Sequence, residues 1–279
     1  MPSRSQISIF KQGSRTYFYS SLFFPKAVKD DVFTLYAFVR LADNFVDTIP
    51  QDRTGFYVFK ESYFNARKGL ASGNEIIDAF VSLAKRRQFE PAWVDAFLRA
   101  MELDLTKKIY ATMEETEQYM YGSAEVVGLM MAAILGLPEA ARPFARSLGR
   151  AMQYINFIRD LKEDQALGRR YLPTVELEKY KLDSLEEKEA HRKPERFTAF
   201  IAGQLAYYRK WQAEAQRGYR FIPRRYLVPV KTAAEMYGWT ADRIDQTPFV
   251  IFRGVVKPAK STILARIIAN ALSLPWRSQ

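Results

Sequence analysis

Apolar residues recur at three- and four-residue spacing along nearly the whole chain, and that period admits little besides packed helices. Val32, Leu35, Tyr36, Val39 and Phe45 mark one face and predict a helix over Val28 to Asp47. Shorter helices are predicted over Gly55 to Leu70 and Asn74 to Arg87, with Asn74 placed as a cap. Pro91 suits the first turn of a helix running to about Tyr110. A long helix is predicted over Glu114 to Leu135, cut by Gly136 and Pro138, and another from Glu139 to about Ala166, ending at Gly168. The polar stretch Leu167 to Arg196 reads as a connection with one or two short helices. Helices resume over Glu195 to Tyr219, Arg224 to Tyr237 and Lys260 to Leu274. No strand–helix alternation, hairpin dipeptide or repeat interrupts the pattern. The predicted fold class is all-α: a single domain over residues 1–279, a helical bundle around a central cavity.

Composition narrows the chemistry. The 279 residues are 48% hydrophobic, as a packed globular protein requires. Cysteine is absent, which excludes a disulfide scaffold, a zinc–thiolate site and a cysteine nucleophile. His191 is the only histidine and sits in the polar connection, where it is expected to be solvated. Carboxylates with a bound metal are the remaining route to hydrolytic or phosphoryl chemistry. The most apolar run, Val126 to Leu137, is too short for a membrane span of about 20 residues. Met1 to Lys11 lacks the apolar core of a signal peptide. The expected location is cytoplasmic, with peripheral membrane contact compatible with it. Net charge is +11, and most of the excess lies at the two ends: Arg4, Lys11 and Arg15, then Arg253, Lys257, Lys260, Arg266 and Arg277. Basic ends suit phosphorylated small molecules, anionic lipid or nucleic acid, or are simply solvated. Nothing in the sequence sets an oligomeric state.

Two carboxylate pairs stand out. Asp43 and Asp47 lie at i and i+4 near the end of one predicted helix, and Asp160 and Asp164 repeat that spacing near the end of another. The interval places both side chains of a pair on one helix face, where like charges repel. Helix C-termini disfavour anions as well. A compensating cation accounts for both features, and all-oxygen ligands select hard ions such as Mg²⁺. Gln153, Asn156 and Asp160 step along one stripe beside Met152, Ile155, Phe157 and Ile158, a polar seam in an apolar element that calls for polar partners. Arg159 and Arg169 are placed to bind phosphate oxygens. A nucleic-acid-binding reading leaves the four aspartates unexplained, so no nucleic-acid partner is expected.

Three segments resemble the phytoene/squalene synthase family, whose members join two prenyl diphosphates head to head. They are Ser14 to Asp47, with S-R-T-Y-F, L-F-F-P and L-Y-A-F-V-R-L-A-D-N-F-V-D; Tyr119 to Met131, Y-M-Y-G-S-A-E-V-V-G-L-M-M; and Leu148 to Pro173, with Q-Y-I-N-F-I-R-D-L-K-E-D. The resemblance implies an isoprenoid-synthase-like helical fold. It implies Mg²⁺, or Mn²⁺, and diphosphate binding by Asp43, Asp47, Asp160 and Asp164. Arg40, Gln153, Asn156 and Arg159 would complete the diphosphate sites, with Ser14 and Tyr17 on a flap over them. Tyr119, Tyr171 and Tyr237 would line the reaction centre, and Arg253 would reach a departing diphosphate. Two positions depart from the family pattern: Asn44 stands where a second consecutive Asp is common, and Glu125 where a small residue is usual, on what would be the cavity helix. The implied reaction ionises one prenyl diphosphate, forms a cyclopropylcarbinyl diphosphate and rearranges it. Two geranylgeranyl diphosphates giving phytoene is the expected case. Squalene or dehydrosqualene from farnesyl diphosphate is the alternative, with NADPH needed only for squalene. A non-catalytic assembly factor is a further alternative, which the intact aspartates oppose.

The sequence also separates structural from functional readings. Gly122 and Gly128 are expected to permit close helix packing or make room for a prenyl tail. Ile263, Ile267, Ala271 and Leu274 share one face, expected to pack on the core, with a membrane surface aided by Arg266 and Arg277 as the other reading.

Overall fold

A computed structural model describes residues 3–254 and 256–273. Among these residues there are fifteen α-helices and no strand, with one isolated bridge between Ile109 and Arg170. In chain order the helices are α1 (Arg4–Gly13), α2 (Arg15–Ser21), α3 (Lys26–Asp47), α4 (Arg53–Arg67), α5 (Glu75–Arg86), α6 (Pro91–Asp104), α7 (Met113–Met120) and α8 (Val126–Ile134). They continue as α9 (Arg142–Arg159), α10 (Leu161–Ala166), α11 (Thr174–Lys179), α12 (Glu187–Arg192), α13 (Pro194–Arg217), α14 (Arg224–Gln246) and α15 (Lys260–Ser273).

Local chemistry explains many of the boundaries. Ser3 and Gln6 form a capping box that starts α1. Ser14 ends α1 and caps α2 by accepting the Tyr17 amide at 3.3 Å, so the two helices turn sharply at one residue. Neither helix was expected from the periodicity. Phe10 seats α1 against α3 by stacking on Tyr36, with ring centroids 3.9 Å apart. Asn74 caps α5 as expected, and Pro91 opens α6. Helix α14 runs nine residues past its expected end at Tyr237.

Two predicted long helices are divided. The one expected over Glu114 to Leu135 contains a π turn, Tyr121–Glu125, between α7 and α8. Close packing accompanies it: a Cβ on Gly122 would meet the Ala96 carbonyl at 2.6 Å, and one on Gly128 would clash with the Ala145 carbonyl. Both glycines thus serve helix approach. The second division falls at Asp160, between α9 and α10. Arg159 and Asp160 pair with each other there, and adjacent side chains cannot face one another on a regular helix.

Helix α9 runs through the centre, against α8, the π turn, α13 and α14. Tyr154, Ile155 and Ile158 on it are fully buried. Burying a side chain the size of isoleucine contributes roughly 1.5–3 kcal/mol, so this helix anchors whatever its polar stripe presents. On α15, Ile263 and Ile267 pack on Met236, and Asn270 completes the buried stripe through Thr232 and Glu235. Ala271 is exposed instead of buried, and Leu274 and Arg277 lie outside the described residues. His191 is exposed, as expected, beside the Phe249 ring. No helix among the described residues is long and apolar enough to cross a membrane.

Candidate active site

The helix ends surround two adjoining chambers. The polar one, about 500 Å³, is lined by all four predicted aspartates together with Ser14, Tyr17, Arg40, Tyr119, Gln153, Asn156, Arg159, Tyr171 and Tyr237. The apolar one, about 280 Å³, is lined by side chains such as Val32, Leu35, Val127, Met131, Leu148 and Met152. Tyr17, Tyr36, Val39, Ser123, Gln153 and Asn156 border both and form the neck between them.

Three aspartates are held by arginines. Arg40 Nη1 donates to Asp43 Oδ2 at 2.7 Å, one turn along α3. Arg169 Nη1 reaches from the loop after α10 to Asp47 Oδ1 at 2.8 Å, while its other nitrogen donates to the Val46 carbonyl. Arg159 Nε donates to Asp160 Oδ1 at 2.6 Å. Asp164 makes no side-chain hydrogen bond or ion pair among the described residues. Burial, reinforced by Asp47, raises the Asp43 carboxyl to about 7 against the pull of Arg40. Burial and the neighbouring Asp160 likewise raise Asp164. The chamber therefore disfavours the ionised form of two of its four aspartates.

Among the described residues no three carboxylate or imidazole groups gather tightly enough to hold a metal ion unaided. The donor set still fits Mg²⁺. That ion uses one or two protein carboxylates and takes its other ligands from phosphate and water. Asn156 Oδ1 and Ser123 Oγ at the neck are buried without a partner among the described residues, as polar atoms awaiting a ligand would be.

The aromatic residues form the walls. Tyr171 stacks on Phe157 at 4.3 Å and on Tyr119 at 5.0 Å. Tyr17 donates to Met152 Sδ at 3.0 Å and lies 5.5 Å from Tyr237. Burial raises the hydroxyl pKa of all four tyrosines, so each stays neutral.

Arg253 and Glu125 lie apart from the chambers. Arg253 is exposed and does not border the chamber; a turn at the end of a 3-10 helix carries it outward. Lys257, four residues on, borders it instead and has no side-chain partner among the described residues, its pKa lowered by burial and by Arg159. Glu125 lines neither chamber. It is fully buried and faces α9, where Arg146 and Arg150 bind it at 2.8 and 2.5 Å. The π turn rotates it there and leaves Ser123 at the neck.

Arg15, Asp104 and Glu163 also border the polar chamber and were not singled out. Arg15 adjoins the Ser14 segment, and Glu163 adjoins Asp164, so neighbourhood was a usable signal for both. Asp104, at the end of an apolar helix, gave none beyond being a carboxylate in a hydrophobic run.

The squalene/phytoene synthase family model matches residues 10–262. A 15-cis-phytoene synthase from a Synechocystis species is 28% identical over 257 residues, covering 86% of this chain and 76% of that protein. One from Enterobacter agglomerans is 30% identical over 244 residues, covering 81% and 80%. A dehydrosqualene synthase crystal structure superposes with a TM-score of 0.82 at 19% identity, over 95% of this chain and 93% of that one, a likeness of fold.

Proposed function

The chain belongs to the squalene/phytoene synthase family of prenyltransferases, and on that premise we propose that it joins two geranylgeranyl diphosphates head to head into phytoene. One domain carries the reaction. The observation that carries this reading is the joining of a carboxylate- and arginine-lined chamber to an apolar one through a shared neck. A diphosphate and a prenyl tail need those two environments, end to end.

Asp43, Asp47, Asp160 and Asp164 hold the metal ions. Arg40, Gln153, Asn156 and Arg159 bind diphosphate oxygens, with Ser14 and Tyr17 closing the near wall. When bound, Mg²⁺ or Mn²⁺ neutralises charge building on the leaving diphosphate as a Lewis acid. The Tyr119, Tyr171 and Tyr237 rings face the allylic cation, and cation–π attraction contributes roughly 0.5–2 kcal/mol for each. The enclosing walls exclude water that would quench it. The double bond of the second prenyl group attacks the allylic cation and a proton is lost, giving a cyclopropylcarbinyl diphosphate; this loses its own diphosphate, and the rearranged cation gives up a second proton to become phytoene, with released diphosphate as the base for both protons. The names of the relatives support the C20 substrate, and so do small side chains along the apolar chamber: Ala124, Ala132 and Ala145.

The protein is proposed to work in the cytoplasm against a lipid surface. Ile268 and Leu272, one turn apart on α15, are 60% and 80% exposed, which supports that contact. Co-sedimentation with anionic vesicles, lost in Ile268→Ser/Leu272→Ser, tests it.

Incubation with geranylgeranyl or farnesyl diphosphate and Mg²⁺, with and without NADPH, tests the reaction. Phytoene from the C20 substrate is expected. Product only from the C15 substrate would replace the substrate assignment with squalene or dehydrosqualene synthesis. No head-to-head product from either would overturn the reaction itself.

A further inference from the structure

We infer that Asp104 is a positioning residue for this reaction: its carboxylate accepts hydrogen bonds from the hydroxyls of Tyr119 and Tyr171 and sets both rings against the polar chamber. The inference rests on the condensation proposed above. Asp104 is the last residue of α6 and is 1% exposed. Tyr119 Oη donates to its Oδ2 at 2.7 Å, and Tyr171 Oη donates to its Oδ1 at 2.7 Å. Each carboxylate oxygen thus serves one phenol. The phenols come from separate segments, α7 and the loop after α10, so one acid joins three parts of the chain.

The geometry has a chemical consequence. A phenol that donates to a carboxylate gains phenolate character, and its ring becomes more electron-rich. Ring faces attract cations through their quadrupole, so the same hydrogen bond strengthens the attraction. The bond also keeps both hydroxyl hydrogens out of the chamber, where they would oppose a cation. Tyr119, Tyr171 and Phe157 form a continuous stack bordering that space. The acid itself is fixed from behind, because Gln51 Nε2 donates to the Asp104 carbonyl at 2.9 Å.

Stability alone does not call for a carboxylate here. Burial outweighs Arg169 and the two phenols and raises the Asp104 carboxyl to about 6. An ionised group in that position opposes folding, and a neutral isostere removes the cost. A residue kept against stability beside a reaction chamber points to the reaction.

Asp104→Asn tests this with geranylgeranyl diphosphate and Mg²⁺. The amide retains one accepting oxygen and presents N–H to the other phenol, which must give up its donated bond. The expected result is a kcat lowered about 10–30-fold, the size of one or two weakened cation–π contacts. KM should stay within about threefold, as for an interaction made only in the transition state. Melting temperature should equal or exceed that of the unaltered protein, and prenyl alcohols from water capture should rise. An unchanged kcat would overturn the inference, as would a kcat loss matched by a lower melting temperature.

If Asp104→Asn does not fold, Tyr119→Phe/Tyr171→Phe removes the donors and keeps the rings; a comparable kcat loss supports the role and full activity overturns it. The two failures separate cleanly. No product from the unaltered protein sinks the condensation and this inference with it. Product from it, with an equally active Asp104→Asn, sinks the inference alone.

Discussion

The two aspartate pairs share a spacing and differ in how the fold holds them. Asp43 and Asp47 lie on one unbroken helix, with partners from near and far: Arg40 on the same helix and Arg169 from a loop more than 100 residues away. Asp160 and Asp164 straddle a break, with Arg159 the immediate neighbour of one and no partner among the described residues for the other. The first pair is preorganised by tertiary contacts. The second is shaped by its own backbone. A metal–diphosphate site built from both joins a fixed half to a half still short of ligands.

Removing a ligand should have the largest effect. Asp160→Asn is expected to lower turnover by on the order of 10³-fold. Circular dichroism should show an intact helical fold; near-normal activity would break the assignment of the second pair. Arg169→Met should show how far the first pair depends on remote support. Its side chain is 3% exposed, and losing it leaves Asp47 without its donor and the Val46 carbonyl with Gln51 Nε2 alone. A loss of about 3–5 kcal/mol in urea unfolding is expected.

A pH series should sharpen the comparison next. Asp43 in the folded protein titrates near 7, above its ordinary 3.8. Its protonated form is the favoured one in the fold. Its contribution to the stability of the metal-free protein is therefore complete below about pH 4 and is lost as pH rises through 7. Metal binding runs the other way, because it needs the ionised carboxylate. Mg²⁺ affinity, read by titration calorimetry with inorganic pyrophosphate present, should fall about tenfold per unit below pH 7. In Asp43→Asn that segment of the profile should flatten. A wild-type profile in the variant would shift the titration to another group.

The smallest effect is expected from Arg40→Met. Arg40 and Asp43 are each about a third exposed and one helical turn apart. Stability should change by only about 0–1 kcal/mol. A loss as large as that of Arg169→Met would erase the contrast between near and remote support.

Much of the site was legible because helix geometry is local. The stripe Gln153, Asn156, Asp160 follows from residue spacing, and all three border the polar chamber. Ser14, Tyr17, Arg40, Arg159, Tyr119, Tyr171 and Tyr237 border it as well, as the family resemblance implied. Arg253 and Glu125 lie outside the chambers for a shared reason. Each lies where the backbone leaves the regular helix, one after a 3-10 turn and one in a π turn, and local periodicity no longer reports direction there.

By itself the sequence determined the helical class, the existence of two acidic pairs and the positions of most of their polar companions. Those follow from spacing along a rod of known pitch. Only the tertiary structure decided that Lys257 faces the chamber and Arg253 does not, that Glu125 is spent on Arg146 and Arg150, and that Asp104 joins two tyrosines from other segments. The physical reason is that such outcomes depend on how packed side chains set one helix against another. Residues meeting across those contacts are far apart in the chain, and no local pattern encodes their meeting.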